Sequence, residues 1–266
     1  MSSSRPYIIR ISSQKGGVGK TTIAVNVASQ LSLLGNRVLL IDTDFINPSV
    51  GFHMGLENTN SGVRAVLTGK ARLDDTLVVH APTGMRVLPG EIKAKAFTPT
   101  NAQFEKFFRD IEKTGYDFVV IDTPPGFLFD EDIKAFGEAL IITTPEMSAC
   151  TSAARLANHY DKLKVRHSLI VNKFKNKRYE LHIQEIKEMY DGEIAAVLPE
   201  DEEIPISIAE HIPCCIAMPK SHFADEIVSL ADRYSEKFSP EKFVIPKRRG
   251  VLSRIFFRIM QALGRR

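Results

Sequence analysis

Residues 15–22, KGGVGKTT, lie between a short β-rich apolar run at 7–12 and a stretch of helical spacing at 21–34, and this junction limits the possible folds more than any other feature. Glycines at 16, 17 and 19 let backbone N–H groups converge where a Cβ would obstruct them, and a helix N-terminus adds its positive end. A loop of this kind is a phosphate cradle, and it needs a strand behind it and a helix ahead. The remaining chain fits that demand. Ile23, Val27, Leu31 and Leu34 form one helical stripe, which Gly35 closes. Continuous apolar runs at 38–41, 118–121, 139–142 and 168–171 suit strands buried on both faces of a parallel sheet, and helical stretches near 101–114, 147–163, 178–190 and 221–238 separate or follow them. The pattern predicts an α/β fold with a doubly wound, mostly parallel sheet and helices on both faces. No regular element can be assigned within 46–100.

Within the cradle, Gly16, Gly17, Val18, Gly19 and Thr22 supply backbone, Lys20 is placed to reach terminal phosphates, and the Thr21 hydroxyl is placed to complete Mg²⁺ coordination. The standard loop has glycine at position 14, where this chain has Gln14; with Lys15 ahead of the glycine pair this is the deviant form of the Walker A loop. Asp42 and Asp44 leave one apolar strand and Asp122 leaves another, at the strand ends where open α/β sheets bind ligands. Asp122 is the Walker B candidate for holding a metal-bound water. Three cysteines without a CxxC spacing form neither a disulfide framework nor a cluster site, and the vicinal pair Cys214–Cys215 reads as buried apolar filler. The amino terminus has no long apolar segment, so the expected compartment is the cytoplasm.

The loop at 15–22 joins DTD at 42–44, DTPPG at 122–126, VNK at 171–173 and LPEDEEI at 198–204, and in combination these motifs resemble the ParA/MinD family of ATPases over most of 7–238. The resemblance implies a P-loop NTPase domain over 1–238 that hydrolyses ATP with Mg²⁺. It implies that Lys20 and Thr21 bind phosphate and metal, that Asp42 and Asp122 surround the metal, and that Asp44 orients the attacking water. Lys15 would reach the nucleotide of a second subunit, which makes the active form an ATP-sandwich homodimer. Asn172 and the loop of Pro199, Glu200 and Asp201 would face the adenine, where an amide can donate and accept. After DTD the chain reads FINPSVG, unlike the segment typical of bacterial MinD, so no particular activator is implied.

The C-terminal segment separates the members of such a family. On a helix over 250–266, Val251, Leu252, Ile255, Phe256, Ile259, Met260 and Leu263 lie on one half, while Arg254 and Arg258 lie opposite. Guanidinium groups facing bulky apolar residues suit a helix lying in an anionic membrane surface. A Pro-punctuated linker with a basic cluster spans 239–249. The chain is +3 overall, yet 247–266 holds seven basic residues and no acid, so the remainder is net acidic. Seven apolar side chains at about 1 kcal/mol each, helped by headgroup attraction, roughly offset the ordering of the segment, so one tail is a marginal anchor and two on one body are a firm one. The expected role is a MinD-like positioning ATPase, cytoplasmic and peripheral on the inner face of the cell membrane, with an unidentified activator or cargo protein. A ParA-type DNA partitioner is the first alternative, with Lys173, Lys175, Lys177 and Arg178 as its basic loop; the net acidic body disfavours DNA. A nucleotide-binding scaffold without turnover is the second.

Overall fold

The computed structural model describes residues 5–56, 61–92, 97–126 and 137–239. The linker beyond Ser239 and the amphipathic helix expected over 250–266, with every membrane-facing residue named for it, lie outside the described residues. In chain order the elements are β1 (Tyr7–Ser12), α1 (Lys20–Leu33), β2 (Val38–Asp42), α2 (Val50–His53), α3 (Val63–Leu67), α4 (Leu73–Thr76), β3 (Val78–Val79) and β4 (Arg86–Leu88). There follow α5 (Asn101–Ile111), β5 (Phe118–Asp122), β6 (Gly137–Thr143), α6 (Met147–Leu163), β7 (His167–Phe174) and α7 (Ile183–Met189). The chain continues through β8 (Ile194–Pro199), α8 (Glu203–Ala209), α9 (Cys214–Ala217) and α10 (His222–Phe238).

Among the described residues the strands form one sheet in the order β3-β4-β2-β5-β1-β6-β7-β8, parallel throughout except for β3 against β4. The continuous apolar runs are explained by alternate residues serving different faces. Ile9, Ile11, Leu40, Val120, Leu140 and Ile170 pack beneath α1 and α10. Ile8, Leu39, Ile41, Val119 and Ile121 pack against the α5 phenylalanines, and Ala139, Ile141, Leu169 and Val171 pack against α6 and α7. β1 sits in the middle, between β5 and β6. The loop that leaves β1 is therefore flanked by the carboxyl ends of both neighbours.

The expected strands and the helices near 101–114, 147–163 and 221–238 are present, with ends shifted by a few residues. Helix α7 is a correction: it begins at Ile183, not at 178. The Glu180 carboxylate accepts the backbone N–H groups of Lys175 and Lys177, and Asn176 sits at φ 55, which closes 175–182 into a loop. Cys214 and Cys215 are buried, as their filler role requires. Among the described residues no helix is long and apolar enough to cross a membrane.

Candidate functional site

Helix α1 opens at Gly19, with no side-chain cap and no acidic residue in its first turn, so its N-terminal N–H groups remain available to an anion. Gly19 has φ 97, and a Cβ there would lie 2.3 Å from Asn172 Nδ2. Any side chain there would strain the backbone and displace the Asn172 amide. The loop is held from the far side of the sheet: Asn172 Nδ2 donates to the Val18 carbonyl at 2.7 Å, and Lys173 Nζ donates to the Gly17 carbonyl at 3.0 Å. The register of β7 against β8 slips between Val171 and Phe174, at the two residues that reach the loop.

The two lysines of the cradle have different surroundings. Lys20 is buried, and its Nζ donates to Ser13 Oγ at 3.0 Å; burial lowers its pKa, while the nearby Asp122 and Asp44 carboxylates act in the opposite direction. Ser13 Oγ in turn donates to the Lys15 carbonyl at 2.7 Å, which ties the start of the loop to its end. Lys15 stands at the rim, and its Nζ donates to Ser148 Oγ at 2.5 Å, in the first turn of α6. Its ammonium is thus bonded outside the cradle it precedes.

Asp42 and Asp122 end their strands directly opposite each other, in register, and both are buried. Asp42 Oδ2 accepts the N–H groups of Ser49 and Val50, and Oδ1 accepts that of Asp44. Asp122 Oδ2 accepts the Thr21 hydroxyl at 2.6 Å, whereas its Oδ1 is buried with no hydrogen-bond partner among the described residues. Burial raises the pKa of both acids. The charge of Asp122 adds to the rise at Asp42, and the Thr21 hydroxyl opposes the rise at Asp122. Thr21 Oγ1 also lies 2.9 Å from Ser49 Oγ. Two desolvated carboxylates with one unmatched oxygen suit a cation. Among the described residues no group of three or more His, Cys, Asp or Glu side chains could hold a metal. The Thr21 hydroxyl and the Asp122 carboxylate are hard oxygen donors, which fit Mg²⁺, an ion that takes one or two carboxylates and completes its shell with phosphate and water.

Asp44 is nearby at the surface, where its Oδ1 accepts the N–H groups of Ile46 and Asn47. On the opposite side, Glu200 pairs with Lys175 at 2.6 Å, and the Asp201 carboxylate accepts the N–H groups of Glu203 and Phe223, fixing the loop after Pro199. Sequence reasoning missed Ser13, Ser49 and Ser148, and it placed Lys173 in a motif and a basic loop without its contact to the Gly17 carbonyl. These residues act through hydroxyl or ammonium hydrogen bonds, and no spacing rule marks such contacts in advance.

A family model described as an AAA domain matches residues 6–175. The chain is 31% identical over 208 residues to the septum site-determining protein MinD of Synechocystis sp., covering 75% of this chain and 78% of that protein. Among solved structures, the septum site-determining protein MinD of Pyrococcus horikoshii, complexed with Mg-ADP, superposes with a TM-score of 0.81 at 26% identity, over 90% of this chain and 100% of the other. The MinC:MinD cell division protein complex of Aquifex aeolicus gives a TM-score of 0.78 at 26% identity, over 92% and 100%.

Proposed function

The chain belongs to the MinD/ParA family of P-loop ATPases, and from that premise we propose that it is a MinD-like ATPase whose ATP-bound dimer holds a membrane surface and positions a partner there. ATP fills the cradle through the backbone of residues 16–22 and Lys20. Thr21 and Asp122 hold Mg²⁺, with Asp42 behind them shaping the site. When bound, the cation neutralises charge that develops on the phosphates. Lys20, already stripped of water and flanked by carboxylates, needs little reorganisation to meet the terminal phosphates. Asp44 stands at the site's open side, where it orients the attacking water.

The observation that carries the reading is the division between the two lysines. Lys20 is buried inside the cradle, while Lys15 sits at the rim on a single hydroxyl of α6. A hydrogen bond from an ammonium contributes about 1.5–3 kcal/mol at most, and this one is exposed to water at the rim, so the charged phosphates of a second subunit can draw Lys15 away from it. Dimerisation brings two C-terminal tails together, and the second binds at high effective concentration. Asn172 and the loop from Pro199 to Asp201 take the base, with Lys175–Glu200 fixing one side of that loop.

Co-sedimentation with anionic liposomes in ATP, ADP and no nucleotide tests the proposal. The full chain is expected to sediment with ATP only, and removal of 247–266 is expected to abolish it. Equal sedimentation in all three conditions overturns the switch. Asp44→Ala is expected to stop phosphate release while ATP-dependent sedimentation persists.

A further inference from the structure

Ser49 bears on the metal site although no motif includes it. Thr21 Oγ1 lies 2.6 Å from Asp122 Oδ2 and 2.9 Å from Ser49 Oγ. The single Thr21 hydroxyl hydrogen goes to the carboxylate, so Ser49 donates to Thr21. Its place is fixed on both sides. The Ser49 N–H donates to Asp42 Oδ2 at 2.9 Å, and the Ser49 carbonyl accepts the His53 N–H at 3.2 Å.

We propose that Ser49 Oγ is a further oxygen donor to the divalent cation, beside Thr21. The inference rests on the reading that a Mg²⁺-nucleotide fills the cradle. Adjacent ligands of an octahedral Mg²⁺, each about 2.1 Å from the ion, stand roughly 3 Å apart, and the two hydroxyl oxygens are 2.9 Å apart. The Asp122 Oδ1 atom, buried and unpartnered among the described residues, belongs to the carboxylate already bonded to Thr21. Two hydroxyls and a carboxylate are hard donors of the kind this ion selects. Ser49 also precedes α2 and closes the loop that carries Asp44, whose carboxylate bonds the N–H groups of Ile46 and Asn47. Cation binding through Ser49 therefore fixes the loop that presents Asp44.

The test is binding of a fluorescent ADP derivative to the full chain, titrated with Mg²⁺, Mn²⁺ or Cd²⁺ and repeated in EDTA. Ser49→Ala is expected to raise the Mg²⁺ concentration for half-maximal effect about 10-fold or more, with affinity in EDTA unchanged. Ser49→Thr, which keeps the hydroxyl, is expected to behave as the parent. Ser49→Cys is expected to lose Mg²⁺ response and regain it with Cd²⁺, because a thiolate prefers the softer ion. A Ser49→Ala response within about twofold of the parent, or no recovery of Ser49→Cys by Cd²⁺, overturns the assignment of Ser49. A parent protein whose nucleotide affinity ignores all three ions overturns the Mg²⁺ reading itself, and the Ser49 proposal with it.

Discussion

The segments that follow β2 and β5 begin alike and finish with different tasks. Each starts from a five-residue buried strand ending in aspartate, and each continues with threonine. The threonines behave the same way: Thr43 Oγ1 donates to the Asp122 carbonyl and Thr123 Oγ1 donates to the Ile11 carbonyl, both at 2.8 Å. The aspartates do not. Asp42 gathers three backbone N–H groups from its own loop, whereas Asp122 takes one hydroxyl from the phosphate loop and leaves an oxygen unmatched. One carboxylate builds a loop and the other is available to a ligand. An identical sequence signal thus separates into structure and chemistry only through what the following residues offer back: Ser49 and Val50 return N–H groups to Asp42, and the short DTPPG turn returns none to Asp122 among the described residues.

The largest effect that can break this comparison comes from removing each carboxylate. Asp42→Ala strands three N–H groups and is expected to cost about 3 kcal/mol or more in urea unfolding, while Asp122→Ala costs about 1 kcal/mol. Phosphate release should fall on the order of 100-fold in Asp122→Ala. Equal stability losses would erase the distinction. Gly90→Ala probes the β2 loop alone, because a Cβ there would stand 2.3 Å from Pro48 Cβ and 3.5 Å from Asp42 Cγ. The expected loss is about 1–3 kcal/mol by overpacking, read from the same unfolding curves, with little change in the metal response. The smallest effect concerns what the loops share. Thr43→Val and Thr123→Val should each cost about 1 kcal/mol, and a difference between them larger than that would mean that the two staples are not equivalent.

The sequence carried the sheet and the cradle because both rest on local patterns. Buried strands such as VLLI and FVVI are continuous runs, and the glycine-lysine loop lies at one junction of the chain. The β3–β4 edge was invisible because strands of two and three residues are too short to display a period. β8 was missed although Ile194–Pro199 is mostly apolar; its two alanines dilute the β-branched signal. In the site, the aspartates were legible from their strand ends, but their division of labour was not. That division depends on Ser49, which reaches Thr21 across 28 residues, and on the absence of a matching donor at Asp122. Asn172 was read as a base contact from its motif. Its amide also supports the Val18 carbonyl, a role that only the approach of β7 to the loop reveals.

That approach has a consequence for biosynthesis. The cradle lies within the first 22 residues, yet its support comes from Asn172 and Lys173. A chain emerging from the ribosome carries the whole glycine loop long before it can stiffen it. Contacts separated by this much sequence form late, after loop closure has been met. Nucleotide is therefore expected to stabilise the finished domain by mass action, and to hold a partly made chain, whose loop Asn172 and Lys173 do not yet support, far less well.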